Sequence, residues 1–438
     1  MIRHWANFNS AAGRVLTNVP FFRSRVLSSL YGRAAQQFSF PLGNDQGEQE
    51  NLVAGGDCCV YVHFPFCSSA CTYCPFSRTM KTDRARSYCD CLIREIDLFG
   101  RTQMKPGASL TSVYFGGGTP SLIPPDLLRH ICSRILETFP HNPNLQMTLE
   151  CNPESLDPDL VAEYLRMGIN RLSVGVQSFH AETLAEMGRA PHPDRICQIL
   201  RALPSRGLSN FSTDLMYGFD SQNLETFLAD LRQAIDLEAE HITLYPLVTA
   251  HRSALGAGRR ERNQQRMYAA AREALAAAGY GQYSTEDFAR SETGRDRYEM
   301  DSWRVPSKGV VVFGTAGFGT LNHRFYSKGR DIVAYMASVN QGHFTTASCR
   351  LIGGKKEARI RMLLGLRYLN VNRNAFSTAY GIDPWSKDDE MMGFLKRMGV
   401  VEADETNVRL NTDEYFRYSL LWAKIMLDRL NGNLTVDE

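Results

Sequence analysis

Residues 61–74 read Tyr61-Val-His-Phe-Pro-Phe-Cys67-Ser-Ser-Ala-Cys71-Thr-Tyr-Cys74, and this stretch decides how the rest of the chain is interpreted. Its three cysteines follow the spacing C-x3-C-x2-C. Three thiolates this close together can ligate three irons of a cubane [4Fe–4S] cluster, which normally takes four. The fourth iron is then open to bind a small molecule, as in catalytic metal sites that keep one position free. The spacing therefore predicts a catalytic iron–sulfur site with Cys67, Cys71 and Cys74 as ligands.

Two other uses of clustered cysteines fit the chain less well. A disulfide framework is unexpected because 438 residues need no covalent staples and the N-terminus shows no secretory signal. A zinc site usually has two separated Cys/His pairs, and no second pair follows at a fitting spacing. Residues 60–64 form an apolar run typical of a buried strand. The cysteines therefore follow the C-terminal end of a strand, where α/β folds place their active sites.

The composition describes an ordinary globular protein. The net charge is +2 and 43% of the residues are hydrophobic, which predicts two to three domains with a large core and no nucleic-acid-binding surface. No apolar run reaches the length of a membrane span. The chain has eleven cysteines, and those outside the triplet are expected to be reduced and mostly structural. These features predict a cytoplasmic protein.

Strand and helix signals alternate from residue 60 to residue 278. The predicted strands cover 60–64, 112–115, 146–150, 171–176, 211–216 and 241–247, and the predicted helices cover 83–99, 125–138, 158–166, 180–187, 192–205, 223–237 and 262–278. Such alternation predicts a parallel sheet with right-handed crossovers. Six units are fewer than the eight of a closed barrel. The fold class is therefore α/β, a partial (β/α)6 TIM-type barrel with a wide side entrance.

The two ends of the chain differ from this barrel. We predict an N-terminal arm over 1–55, the barrel over 56–340 and a small α-rich, winged-helix-like domain over 345–438. In the last domain the pattern predicts helices at 357–369, 376–380, 388–398 and 416–430, with a short strand at 408–410.

Polar residues follow three successive strands. Glu150, Gln177 and Asp214 each stand at a strand's C-terminal end, where they would face a common mouth. Any one of them could cap a helix. Three in successive units favour a ligand site, since carboxylates and amides suit ribose hydroxyls and an amino group.

A glycine-rich segment, Gly116-Gly-Gly-Thr-Pro120, follows the second strand. Its glycines could let the backbone approach a ligand, or could simply form a tight turn. Arg189 is a candidate for pairing a carboxylate through two hydrogen bonds, or a solvated surface arginine.

Aromatic residues cluster around the cysteines. They could shield a cluster and stack on an adenine, or be ordinary core; they are Tyr61, Phe66, Tyr73 and Phe76. His63 is predicted to be a hydrogen-bonded core residue and not an iron ligand.

Together these motifs resemble the radical SAM superfamily, in the branch named after oxygen-independent coproporphyrinogen III oxidase (the HemN-like branch). The resemblance runs from about residue 56 to about residue 430 and is highly specific. Besides the cysteine loop and the glycine segment, it covers Glu150-Cys-Asn-Pro153, Gly175-Val-Gln-Ser-Phe179, Asp214-Leu-Met-Tyr-Gly218, His241-Ile-Thr-Leu-Tyr245 and Arg361-Met-Leu-Leu-Gly-Leu-Arg367.

The resemblance implies a cofactor set and a role for each matching residue. A [4Fe–4S] cluster on the three cysteines would cleave S-adenosylmethionine (SAM) to methionine and a 5′-deoxyadenosyl radical, and a second SAM is expected beside the first. Tyr61, Gly117 and Glu150 would contact the first SAM, with Tyr61 and Glu150 in the catalytic group. The residues implied for the second SAM are Tyr73, Gly118, Thr119, Gln177, Arg189, Asp214 and the backbone of Val248; Gly116 and Phe76 complete the predicted cofactor-binding set.

The chain departs from the name-giving oxidase at Phe76, where that enzyme has a further cysteine. This departure favours class C radical SAM methyltransferases and cyclopropanases, which transfer a methyl or methylene group to an sp2 carbon. Three alternatives stay open: an anaerobic coproporphyrinogen III dehydrogenase, a heme-degrading methyltransferase and a non-enzymatic heme chaperone.

The resemblance also implies partners for the chain. They are a reductant such as flavodoxin or ferredoxin, and an unsaturated or tetrapyrrole-like small-molecule substrate. Candidate pocket residues for this substrate are Tyr298, Trp303, His323 and Tyr326.

Overall fold

The computed structural model describes residues 52–248, 254–383, 385, 390–397 and 399–419. Nearly all of the predicted N-terminal arm and most of the predicted terminal helix lie outside these residues. Within them, residues 415–419 are helical, at the predicted start of that last helix.

The described residues form fifteen strands. They are β1 (Asp57–Phe64), β2 (Ser109–Gly117), β3 (His141–Cys151), β4 (Arg171–Gln177), β5 (Phe211–Tyr217), β6 (His241–Pro246), β7 (Gly281–Gln282), β8 (Asp287–Ala289), β9 (Gly309–Phe313), β10 (Phe318–Leu321), β11 (Arg324–Ser327), β12 (Ser348–Leu351), β13 (Asn370–Asn372), β14 (Val401–Ala403) and β15 (Asn407–Leu410).

Besides the helical residues 415–419, the same described residues form twelve α-helices. They are α1 (Ala85–Thr102), α2 (Pro125–Thr138), α3 (Val161–Arg166), α4 (Ala181–Glu186), α5 (Pro193–Ser205), α6 (Leu224–Asp236), α7 (Ala254–Ala277), α8 (Arg297–Trp303), α9 (Ile332–Asn340), α10 (Gly354–Leu366), α11 (Arg373–Tyr380) and α12 (Glu390–Arg397).

Strands β1 to β6 are parallel neighbours in sequence order, and a helix connects each to the next. The predicted partial (β/α)6 barrel is therefore confirmed. The same sheet continues at both edges, in the order β12-β11-β10-β9 before β1 and β8-β7 after β6. These edge strands were not predicted, because each has only two to five residues and the glycine-rich sequence around them hides the period of two.

Local signals explain why the connecting helices begin where they do. Helix α2 has Pro125 at its first position, where the missing N–H costs no hydrogen bond. Helix α6 begins with a capping box, in which the Asn223 side chain accepts from the Thr226 amide and the Thr226 side chain accepts from the Asn223 amide. Each helix then buries one apolar face against the sheet, which keeps the crossovers short and the barrel regular.

The barrel interior becomes more accessible toward the C-terminal ends of the strands. Along β6 the inward positions His241, Thr243 and Tyr245 are 1, 3 and 41% exposed, whereas Ile242 and Leu244 between them are fully buried under the helices. We call the C-terminal ends of β1 to β6, with the loops that follow them, the mouth. The rise in exposure along one strand shows that a cavity opens there.

Helix α8 closes the opposite end, which we call the floor. The ring of Tyr298 stacks on Tyr61 at 5.8 Å between centroids and lies 5.0 Å from Tyr114. Asp296, the N-cap of α8, accepts a 2.8 Å hydrogen bond from Arg171 at the start of β4. The interior of the barrel therefore ends on a layer of aromatic and paired charged residues.

The C-terminal region packs helices α10 to α12 around a three-stranded sheet of order β13-β15-β14. Arg367, at the end of α10, reaches back to the barrel and donates to Glu286 at 2.9 Å and Glu299 at 2.6 Å. The large sheet extends through β12, a few residues beyond the predicted start of this region at 345; the domain limits stay a prediction. None of the helices in the described part of the chain is long and apolar enough to cross a membrane.

Candidate active site

The cysteine loop leaves β1 at Phe64 and closes on itself. The Cys67 amide donates to the Thr79 carbonyl at 2.9 Å, and the Thr79 amide donates to the Pro65 carbonyl at 2.8 Å. Inside the loop the Arg78 guanidinium donates to the carbonyls of Cys74 and Cys71, at 2.8 and 2.9 Å. One side chain thus fixes the backbone of two predicted cluster ligands.

The donor set suits an iron–sulfur cluster. Cys67 is buried, and Cys71 and Cys74 are half-buried. Burial raises the pKa of the Cys67 and Cys74 thiols, and the positive charge of Arg78 opposes that rise. Among the described residues no three His, Cys, Asp or Glu side chains converge on a single ion. A cubane bonds each thiolate to a different iron, so its ligands stand farther apart than those of one ion.

The glycine segment packs directly against the cysteine loop. A Cβ on Gly118 would lie 3.0 Å from the Cys67 sulfur and 2.6 Å from the Phe66 carbonyl oxygen, and a Cβ on Gly117 would lie 2.7 Å from the His63 ring. Gly117 also has a φ of +114°, which disfavours any side chain. Close packing therefore accounts for these two glycines, and their contact with SAM, like that of Gly116, stays a prediction.

His63 is a neutral core residue, as predicted. Its Nδ1 lies 3.1 Å from the Tyr61 hydroxyl and its Nε2 lies 3.3 Å from the Ser77 carbonyl oxygen. Burial lowers the pKa of His63 to about 4. The His63 ring therefore helps to fix the position of the Tyr61 hydroxyl.

Glu150 stands at the end of β3, half-buried, as predicted. Its Oε2 accepts from the Gly117 amide at 3.2 Å. Burial raises the pKa of Glu150 to about 7, and a hydrogen bond from Tyr114 opposes that rise. The carboxylate can therefore accept from a ligand or hold a proton close to neutral pH.

Asp214 lies in the middle of β5 and not at its C-terminal end as predicted, because the strand continues to Tyr217. Its neighbour Leu215 pairs with Gln177, so Asp214 lies close to the level at which β4 ends. Ser212 donates to its Oδ1 at 2.9 Å and Ser173 donates to its Oδ2 at 3.0 Å. Burial raises the pKa of Asp214 to about 6, and the two serine hydrogen bonds oppose that rise. A carboxylate oxygen has two lone-pair sites, so each oxygen retains one for a ligand.

Gln177 ends β4 in a strained conformation. Its φ is +70°, in the left-handed region that non-glycine residues rarely adopt. The strand register also shifts between Val174 and Gln177. Strain of this kind concentrates at functional sites, and here it falls on a residue that the sequence placed at the mouth.

Arg189 is buried and already paired. Its guanidinium binds Glu154 through two nitrogens, at 2.8 and 3.3 Å, and its third nitrogen lies 3.4 Å from the Tyr73 hydroxyl. A solvated surface arginine is thereby excluded. The carboxylate that it pairs in this structure comes from the chain itself, and the sequence analysis did not name it.

The remaining predicted cofactor-binding residues differ in their exposure to solvent. Phe76 is 47% exposed, Thr119 is buried and accepts from the Asn152 amide at 3.1 Å, and Val248 is half-buried just after β6. Of the four candidate pocket residues, Tyr298 is buried on the floor helix α8, where it stacks on Tyr61, and so does not line the mouth.

The other three candidate pocket residues lie away from the mouth. Tyr326 is a core residue whose hydroxyl bonds the backbone of Val310 and Val312. Trp303 packs toward the C-terminal region. His323 pairs with Glu357 at 2.9 Å, in the turn after β10. Since β10 runs antiparallel to β9, that turn lies at the floor end of the sheet.

Three kinds of supporting residue were missed by the sequence analysis. Ser212 lies two positions before Asp214 on the same strand, so the period of two would have placed both inside the barrel. Glu154 ends the segment that begins at Glu150, but nothing in the sequence pairs it with Arg189. Arg78 carries no signal beyond its position in the cysteine loop.

Comparison with known sequences gives matches along this same region. Residues 61–234 match the family described as the Radical SAM superfamily. A heme chaperone, HemW, from Haemophilus influenzae is 31% identical over 267 residues, which span 59% of this chain and 69% of the relative. An oxygen-independent coproporphyrinogen III oxidase from Paracoccus denitrificans is 23% identical over 383 residues, spanning 82 and 84% of the two chains.

Comparison with solved structures supports the architecture. Coproporphyrinogen III oxidase (HemN) from Escherichia coli, described as a radical SAM enzyme, superposes with a TM-score of 0.72 at 19% identity. The match covers 88% of this chain and 93% of that one. At this identity the similarity establishes the fold.

Proposed function

The chain belongs to the radical SAM superfamily, in its HemN-like branch, and from that premise we propose that it cleaves SAM reductively and acts on a tetrapyrrole. The observation that carries the proposal is the position of the cysteine loop. Its three thiols follow the C-terminal end of β1, and the half-buried Glu150, Gln177 and Asp214 lie on β3, β4 and β5 of the same barrel.

Each part of the mouth would have a distinct task. Cys67, Cys71 and Cys74 would hold a [4Fe–4S] cluster, and Arg78 would keep their loop in shape. The bound cluster would supply the electron that breaks the C5′–S bond of SAM. Tyr61 and Glu150 both lie beside Gly116 of the glycine segment and would orient the nucleoside. The surrounding aromatic rings would exclude water from the radical, since water-free sites suppress side reactions.

Two observations support a tetrapyrrole as the substrate: the names of the relatives and the aromatic residues of the barrel interior. Both named relatives, and the superposed structure, concern heme or coproporphyrinogen. A tetrapyrrole is a broad planar molecule with apolar faces, and the half-buried rings of Tyr61 and Tyr114 supply aromatic surface in the barrel interior. The opening of a barrel with six strand–helix units would admit a molecule of that size.

A second SAM and methyl or methylene transfer form the finer version of this proposal. Gln177, Asp214 and the Arg189–Tyr73 pair lie on the far side of the mouth from Tyr61, which supports a second nucleoside site there. Phe76 in place of a further cysteine supports a reaction other than that of the name-giving oxidase. The names of the relatives favour coproporphyrinogen oxidation or heme transport instead.

A heme chaperone is the second candidate function. It is favoured by the identity of 31% to a heme chaperone. In that case the protein would bind heme stoichiometrically and deliver it, and SAM cleavage would be absent or incidental.

One experiment separates these functions. The iron-reconstituted protein is incubated anaerobically with SAM, a strong reductant and either coproporphyrinogen III or heme, and all products are identified by mass spectrometry. A modified tetrapyrrole with 5′-deoxyadenosine supports the proposal, and S-adenosylhomocysteine in addition supports methyl transfer. Tight heme binding with no SAM cleavage would refute the enzymatic proposal in favour of the chaperone.

Two further proposals concern the cellular location of the protein and its electron donor. All eleven cysteines are free thiols, which supports a reducing compartment and hence a cytoplasmic location. We propose a small electron carrier such as flavodoxin or ferredoxin as the reductant.

A further inference from the structure

His241 begins β6 inside the barrel and is almost completely buried. Its Nδ1 lies 2.8 Å from the Ser212 hydroxyl oxygen, and its Nε2 lies 2.7 Å from the Tyr283 hydroxyl oxygen. Ser212 in turn donates to Asp214 at 2.9 Å. A continuous chain of hydrogen bonds therefore runs from Tyr283 near the floor to Asp214 at the mouth.

Counting protons fixes the direction of this chain. An ionised Asp214 can only accept, so the single hydroxyl proton of Ser212 points to Asp214. Ser212 must then accept from His241, which places a proton on Nδ1. Burial lowers the pKa of His241 well below its usual value, so the ring is neutral and Nε2 has no proton.

The Tyr283 hydroxyl completes the chain. Its oxygen accepts from the Asp296 amide at 3.1 Å, and its own proton points to Nε2 of His241. Every donor in the chain therefore points toward Asp214. Such an arrangement polarises each hydrogen bond in the same sense and favours the acceptor state of the carboxylate.

We propose that His241 is a positioning residue, which acts through Ser212 to hold Asp214 as a hydrogen-bond acceptor for the hydroxyl groups of a nucleoside bound at the mouth. The inference rests on the proposed function in one respect, that this nucleoside is SAM. His241 begins β6, at the far end of that strand from the mouth, so it would act on the nucleoside only through Ser212 and Asp214.

The first test replaces His241 with Phe, which fills the space but donates nothing to Ser212. Losing one hydrogen bond that supports a charged acceptor should weaken SAM binding about tenfold. We expect a rise of that size in the SAM dissociation constant and in its KM for 5′-deoxyadenosine formation, with kcat changed less than about threefold. His241→Asn, whose amide can still donate to Ser212, should recover most of the affinity.

Ser212→Ala provides a second test that does not depend on how well the Phe variant folds. It should weaken SAM binding to a similar extent. The double variant His241→Phe/Ser212→Ala should be no weaker than either single one, because both remove the same link. The spectrum of the reduced cluster should be the same in all variants.

Several outcomes would overturn the proposal. They are an unchanged SAM affinity in His241→Phe and Ser212→Ala, effects that add in the double variant, or a loss confined to kcat. Binding is measured by equilibrium dialysis, which needs no turnover. A wild-type protein that binds SAM but does not cleave it would therefore refute the proposed function while the role of His241 is still decided. A wild-type protein that binds no SAM would refute both.

Discussion

The two ends of the same barrel strands use polar residues differently. At the floor, Arg171 and Asp296 are 1 and 5% exposed and bind each other at 2.8 Å. At the mouth, Glu150 and Asp214 are half-buried and accept hydrogen bonds from neutral amide and hydroxyl groups. Charge inside the barrel therefore does not mark function by itself. What distinguishes the mouth is that its carboxylates pair with neutral groups, whereas the floor carboxylate pairs with a cation.

This difference has an energetic meaning. A paired floor residue stabilises the fold, since removing one partner leaves a buried charge. A half-paired mouth residue costs stability, because burial opposes its ionised form. The site is therefore a place where the chain gives up stability for binding.

Cys71→Ala at the mouth should abolish cluster binding and SAM cleavage, because two thiolates cannot hold the cubane. Iron content and the absorption of the reconstituted protein measure this effect. Cys197→Ala is the matched control, since Cys197 is a half-buried thiol on α5, outside the loop. An intact cluster in Cys71→Ala would contradict the ligand assignment.

Arg171→Met at the floor should lower the free energy of unfolding by about 3–5 kcal/mol, because Asp296 loses the cation that pairs it inside the barrel. Denaturant unfolding of the full chain measures this change. A loss below about 1 kcal/mol, as for an exposed ion pair, would show that the floor is not the stabilising end.

Asp214→Asn at the mouth should raise the free energy of unfolding. Burial raises the pKa of Asp214 from 3.8 to about 6, so the folded state binds more protons than the unfolded state between these values. The carboxylate therefore costs no stability below about pH 4, and its cost grows as the pH rises to about 6 and then stays constant.

The Asn variant removes that cost. We expect it to be more stable than the wild type by up to about 3 kcal/mol at pH 8, since each pKa unit corresponds to about 1.4 kcal/mol, and by less at pH 5, while its affinity for SAM falls. Thermal unfolding at the two pH values and equilibrium dialysis measure both effects. If the Asn variant is less stable than the wild type at pH 8, then Asp214 stabilises the fold, as the floor residues do.

Asn223→Ala should have the smallest effect. It breaks the capping box of α6 on the outside of the barrel, at a cost of about 1 kcal/mol, and should leave SAM affinity unchanged. A change in SAM affinity here would mean that general loosening of the barrel, and not the groups at the mouth, controls binding.

Much of this arrangement could be predicted from the sequence. The strands β1 to β6 have clear apolar runs, and the cysteine loop, Glu150 and Gln177 lie at strand ends as predicted, whereas Asp214 lies in the middle of β5. The strands β7 to β12 escaped prediction because each is too short to show a period of two. Their pairing depends on β1 and β6 already being in place, which is long-range information that a local pattern lacks.

The partners of the site residues were harder to predict than the residues themselves. The sequence identified Arg189, but its pairing with Glu154 joins residues 35 positions apart and depends on how two loops meet. The link from His241 to Asp214 likewise crosses from β6 to β5. Such contacts follow from strand register, which the sequence does not specify until the sheet is known.

SAM cleavage is the most direct test of the mouth as a radical SAM active site. The full chain is reconstituted with iron and sulfide, incubated anaerobically with SAM and dithionite, and analysed for 5′-deoxyadenosine beside the Cys71→Ala variant. We predict that the wild type forms 5′-deoxyadenosine and that the variant forms none. Equal amounts from both proteins, or none from a wild type with a full cluster, would contradict the assignment of the mouth as a radical SAM active site.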